Sequence, residues 1–261
     1  MRWVKFAAIL SLWAIFFGLL VLVHLWISLL KLPNRWEIIS RLTYSFSFLL
    51  RTILNIKVTV AGAAGQIDEG DTVIISNHLG YVDGFVLGSI FPVVFVSKRE
   101  VKKWPVIGLW ATLGGTIFIN REKLQDIPRV IEEINYALDE GLGVVLFPEG
   151  ASGAGDRVLP FHPSLLDPAA KANYPVSYAS ISYRTMPDEK PAYLAVNWWE
   201  NVTFAEHARE LLKLSSIEAS ITFGSHAIRS DDRKALAKSL WSAVNDQFTP
   251  MVDSALLDSK N

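Results

Sequence analysis

The chain has 261 residues, enough for one large domain or two small ones. Hydrophobic residues make up 51% and charged residues 20%, too apolar a balance for a disordered chain. A net charge of −1 argues against a nucleic-acid footprint, and the absence of cysteine excludes disulfides, thiolate metal sites and a cysteine nucleophile.

The first expected element is a membrane helix. Residues 6–30 contain no Asp, Glu, Lys or Arg. As a helix they measure about 37 Å, against a hydrocarbon core of about 30 Å. The run exceeds the apolar stretch of a signal peptide, and Lys31-Leu32-Pro33-Asn34 is a poor cleavage site, so the helix is expected to persist as an anchor. Trp3 and Trp36 flank it as interfacial aromatics do. After a break at Pro33-Asn34, Ile39, Leu42, Phe46, Leu49 and Ile53 recur at helical spacing. That second helix either lies along the bilayer or packs on the body. Arg2 and Lys5 precede the apolar run, whereas Lys31, Arg35, Arg41 and Arg51 follow it, which favours a cytoplasmic body.

Residues 1–55 therefore read as a membrane-anchoring segment and 56–261 as one domain. Strand-like runs fall at 58–60, 73–75, 93–96, 117–119, 144–147, 176–183, 194–196 and 221–223. Helical patterns are clearest at 126–140 and 230–248, the latter with Ser230 as the expected N-cap. The alternation predicts an α/β fold: a mixed, largely parallel sheet flanked by helices, behind an N-terminal membrane-associated two-helix segment.

Three strand candidates end in polar clusters. Val73-Ile74-Ile75-Ser76 leads to Asn77-His78, with Asp83 five residues beyond the histidine. Thr116-Ile117-Phe118-Ile119 leads to Asn120-Arg121, and Val144-Val145-Leu146-Phe147 to Pro148-Glu149-Gly150. If these strands are parallel neighbours, the four charged or titratable groups converge in the crevice beyond their carboxyl ends. A neutral imidazole at position 78 can take a proton from a hydroxyl, and a carboxylate at 83 can fix its tautomer. A helix-capping aspartate bonded to a structural histidine fits the same spacing. Arg121 suits phosphate or carboxylate recognition, or a surface ion pair; Glu149 is an acceptor-binding or a turn residue. The stretch 150–155 matches neither common nucleotide-binding glycine motif, and Gly150-Ala151-Ser152-Gly153-Ala154 departs from the serine-nucleophile elbow at its last position. Lys98, Arg99, Lys102 and Lys103 form a basic run beside Trp104, fit for anionic lipid, an acidic carrier protein or solvent.

Taken together, the clusters resemble the phospholipid/glycerol acyltransferase superfamily, which includes the 1-acylglycerol-3-phosphate acyltransferases. Its N-H-x4-D block is similar to Asn77-His78-Leu79-Gly80-Tyr81-Val82-Asp83, its G-x-x-F-I-x-R block to Gly115–Arg121, and its F-P-E-G block to Phe147-Pro148-Glu149-Gly150. A looser proline block resembles Tyr174-Pro175-Val176. The resemblance covers about residues 70–185.

It implies a membrane-bound lysolipid O-acyltransferase of phospholipid biosynthesis. His78 would be the general base and Asp83 its support. Arg121, Glu149 and Gly150 would hold the acceptor head group, with Asn77, Gly115 and Arg157 counted among the substrate-binding residues. The donor would be acyl-CoA or acyl-ACP as co-substrate, with no bound cofactor or metal. The setting would be the inner membrane, with the bilayer and a lysolipid such as 1-acylglycerol-3-phosphate as partners and no nucleic acid. Members acting on lysophosphatidic acid commonly follow F-P-E-G with Thr and Arg, whereas Ala151-Ser152 follow here and the next basic residue is Arg157. The continuation Gly155–Phe161 is similar to the lyso-ornithine-lipid acyltransferase branch. A hydrolase using the same His–Asp pair on water, or a non-catalytic lipid-binding anchor, are the rival readings.

Overall fold

The computed structural model describes residues 2–30, 35–63, 72–104, 107–120, 124–199 and 201–258. Lys31, the Pro33-Asn34 break and Arg121 lie outside them, as do the side chains of Arg2 and Trp3.

Helix α1 spans Arg2–Leu30 and is followed by α2, Arg35–Leu54. One stripe of α1 packs inward: Phe16 stacks on Phe46 with ring centroids 4.0 Å apart, and Leu20 is fully buried. The outward face leaves Leu19, Leu22, Leu25, Trp26 and Leu29 exposed. Near its start, Lys5 Nζ donates to the Leu214 carbonyl at 2.9 Å. Residues 4–30 form a helix long and apolar enough to cross a membrane. In α2 the buried stripe is Ile39, Thr43, Phe46, Leu50 and Leu54, at helical spacing. Leu49, expected on the same face as Phe46, is exposed instead.

Among the described residues seven strands follow: β1 Ile56–Gly62, β2 Val73–Ser76, β3 Val93–Lys98, β4 Ile117–Ile119, β5 Gly143–Leu146, β6 Val176–Thr185 and β7 Ile217–Phe223. They form one sheet in the order β1-β7-β6-β2-β5-β3-β4. Strands β6, β2, β5, β3 and β4 are mutually parallel, while β7 runs antiparallel to β6 and carries β1 with it. The expected mixed, largely parallel sheet is therefore present. Its central strands are buried on both faces, which is why they read as unbroken apolar runs. Ile74, Phe95 and Val145 face a core shared with α1 and α2. Their neighbours Val73, Ile75, Val94, Val96, Val144 and Leu146 face the other. That second core is covered by α5 (Ile127–Asp139), α6 (Asp167–Lys171) and α9 (Arg233–Gln247).

Two further expectations are corrected. Residues 194–196 are no strand: α7 (Ala192–Ala195) forms there, because Pro191 opens a helical turn in which Ala195 N–H donates to the Pro191 carbonyl. The N-cap of α9 is Asp232, whose carboxylate accepts from Lys234 N–H (2.7 Å) and Ala235 N–H (2.8 Å). Ser230 instead accepts the Asp232 N–H. Of the three strands that lead into polar clusters, β2 and β5 pair directly and in parallel, while β3 lies between β5 and β4, so the second cluster is set two strands from the third.

Candidate active site

The loop after β2 carries the histidine and turns into the short helix α3, Tyr81–Leu87, with Asp83 in its first turn. The carboxylate thereby points back at the residues preceding the helix. Its Oδ2 lies 2.8 Å from Nδ1 of His78 and accepts the backbone N–H groups of Leu79 (2.6 Å) and Gly80 (3.0 Å). Its Oδ1 accepts the hydroxyl of Tyr183 at 2.7 Å. Asp83 is fully buried, whereas the His78 side chain keeps 23% exposure. Because the carboxylate accepts, the neutral imidazole of His78 has its proton on Nδ1 and its lone pair on Nε2. The imidazole stacks on Phe147 at 4.3 Å, which fixes its plane.

Asn77 prolongs the β2–β6 ladder with its side chain. Its Oδ1 accepts the Ile181 N–H at 2.8 Å and its Nδ2 donates to the Ile181 carbonyl at 3.0 Å, so both ends of this buried amide are engaged by backbone.

Glu149 is also buried, and its carboxyl accepts the N–H of Leu159 at 3.3 Å and faces the N–H of His78. Burial lifts it from an ordinary 4.5 to about 9, so it is a neutral acid at pH 7. Gly150 takes φ +68°, the left-handed region that favours glycine. The loop then returns so that Gly153 N–H donates to the His78 carbonyl at 2.8 Å.

His78 lines an apolar cavity of about 300 Å³, together with Tyr81, Lys98, Trp110, Phe147 and Gly150. Lys98 Nζ lies 5.7 Å from the centre of the Trp104 ring, so part of the basic run reaches this cavity. Gly115 lies elsewhere. With φ +79° it ends α4 (Ile107–Leu113), and it lines a separate opening with His24, Arg35 and Thr116. Thr116 borders both spaces. The guanidinium of Arg157 is exposed and lies 3.5 Å from Asp156. The structure thus places His78 and Gly150 on the cavity wall and buries Asp83 and Glu149 behind it against the His78 loop; Asn77, Gly115 and Arg157 do not line the cavity.

Sequence reasoning missed Tyr183. The signal was its place at the end of a buried alternating strand, where a tyrosine hydroxyl needs a partner; only the fold names that partner.

The acyltransferase family model matches residues 57–182. The lyso-ornithine lipid O-acyltransferase of Brucella abortus is 31% identical over 240 residues, covering 87% of this chain and 83% of that protein. The 1-acyl-sn-glycerol-3-phosphate acyltransferase of Neisseria gonorrhoeae is 27% identical over 210 residues, covering 78% of this chain and 79% of its own. The crystal structure of the 1-acyl-sn-glycerophosphate (LPA) acyltransferase PlsC from Thermotoga maritima shares the fold, with a TM-score of 0.56 at 17% identity over 94% of this chain and 97% of that one.

Proposed function

The chain belongs to the acyltransferase family, and on that premise we propose that it acylates a lysolipid in membrane-lipid biosynthesis, taking the acyl group from acyl-CoA or acyl-ACP. The observation that carries the reading is the His78–Asp83 pair, bonded at 2.8 Å beside an apolar cavity.

The chemistry follows from the tautomer. Bare Nε2 accepts the proton of the acceptor hydroxyl as its oxygen attacks the thioester carbon. A C–O bond forms and the carbonyl electron pair moves onto oxygen. Collapse of the tetrahedral intermediate breaks the C–S bond, and the departing thiolate takes the proton from the imidazolium. Asp83 steadies that imidazolium. The thioester is already activated, so alignment and one base suffice without an acyl-enzyme. Lys98, in the same cavity, offers a cation to an anionic group of either substrate. Arg121 is assigned to the acceptor head group on the family motif.

The outward apolar face of α1 suits a bilayer, and the basic residues after it favour a body on the cytoplasmic face of the inner membrane.

The test is a panel. Detergent-solubilised protein is given acyl-CoA or acyl-ACP with lysophosphatidic acid or lyso-ornithine lipid, and products are read by mass spectrometry. A diacyl product supports the reading and names the acceptor class. Free fatty acid alone, with acceptor present, overturns it in favour of hydrolysis.

A further inference from the structure

Residues 192–199 and 201–211 lie beyond the stretch that matches the family model, yet they grip the loop carrying His78. The segment comprises α7, a connection and α8, Phe204–Leu211. The Trp198 N–H donates to the Leu79 carbonyl at 2.8 Å. At the next residue, a Cβ on Gly80 would fall 2.9 Å from the Trp198 nitrogen. One position further, the Tyr81 hydroxyl meets Nδ1 of His207 at 3.0 Å.

The other ring nitrogen of His207, Nε2, lies 3.0 Å from the Asn197 carbonyl. A carbonyl only accepts, so Nε2 carries the proton and Nδ1 accepts from Tyr81. Asn197 reaches onward: its Nδ2 donates to the Ala154 carbonyl at 2.6 Å. Gly153, beside Ala154, donates its N–H to the His78 carbonyl at 2.8 Å. The path closes on itself, running from His78 through Gly153-Ala154, Asn197, His207 and Tyr81 back to the histidine's own loop. Ala154, Asn197 and His207 are all buried.

We propose that His207 is a positioning residue for acyl transfer: a neutral imidazole of fixed tautomer that, through Asn197 and Tyr81, holds the His78 loop and the loop after Glu149 at a set separation. The inference rests on His78 acting as the general base. Burial lowers His207 to about 4, which keeps Nδ1 open as an acceptor at neutral pH.

Three variants test it: His207→Leu, which fills the space without the bonds, His207→Gln, which can accept and donate, and Tyr81→Phe. Each is assayed for kcat and KM, and for hydrogen exchange in segments 78–82 and 150–155. His207→Leu is expected to lower kcat about tenfold with KM within about twofold, since a positioning loss falls on the transition state. Exchange should quicken in both segments together, and His207→Gln should recover most of the loss. Tyr81→Phe and His207→Leu combined should cost little more than either alone. Unchanged kcat in His207→Leu, or unchanged exchange in 150–155, overturns the proposal. A wild-type chain that transfers no acyl group overturns the functional reading instead, while the exchange experiment still decides the coupling.

Discussion

Tyr183 donates its hydroxyl proton to Oδ1 of Asp83 across 2.7 Å, while His78 engages Oδ2 of the same carboxylate at 2.8 Å. The strand β6 thus braces the far side of the group that steadies the proposed base. Burial and the neighbouring carboxylate both push the Tyr183 hydroxyl well above its ordinary range, so it remains a donor. Tyr183→Phe is expected to lower kcat about tenfold to a hundredfold, the worth of one hydrogen bond to a charged group, with KM little changed. Steady-state kinetics with kcat at the wild-type value would show that the brace is dispensable.

Glu149 makes stability depend on pH in a direction opposite to that of most carboxylates. Its pKa is about 9 in the folded protein against an ordinary 4.5. Between those values the native state binds more protons than the unfolded state, so stability is full below about 4.5 and falls as pH rises through 9. Glu149→Gln removes this dependence. The Tm of the Gln variant minus that of the wild type is expected to grow steadily from pH 5 to pH 9. His207 titrates in both proteins and cancels in the difference. A difference independent of pH contradicts the buried neutral acid.

Glycine at position 80 is required by packing. A Cβ there would press on the Trp198 backbone at 2.9 Å, whereas one at Gly18 meets nothing within 4 Å. Gly80→Ala is expected to lower both Tm and acyl transfer. Gly18→Ala should leave both unchanged or raise Tm slightly, alanine being the better helix former. Equal Tm values for the two variants would contradict the close approach.

The outward face of α1 carries the proposed membrane contact. Leu22 and Leu25 are 54% and 60% exposed, while Phe16 and Leu20 on the opposite face are buried. Leu22→Glu with Leu25→Glu is expected to shift the protein from the membrane fraction toward the supernatant, since each charge in a bilayer costs about 2.5–3.5 kcal/mol. Unaltered sedimentation with vesicles contradicts the assignment.

Much of this was legible in the sequence because the signals are local. The central strands are buried on both faces and therefore appear as apolar runs, and the offset from His78 to Asp83 is one loop and one helical turn. What stayed hidden depends on contacts between distant residues. Tyr183 lies 100 residues from Asp83, and His207 lies 126 from Tyr81. No spacing rule reaches so far. Glu149 reads as an acceptor-binding or a turn residue, but its burial is set by the loop that brings Leu159 over it. Leu194-Ala195-Val196 has strand composition, and Pro191 turns it into a helix.

The proposed mechanism depends on the His78 imidazole taking the proton from the acceptor hydroxyl. The decisive measurement is acyl transfer to a lysolipid by His78→Ala beside the wild type, with circular dichroism confirming the fold. The expected result is a loss of at least about a hundredfold in kcat with the fold intact, the lower bound for removing a general base. A well-folded His78→Ala protein that forms diacyl lipid at the wild-type rate would contradict it.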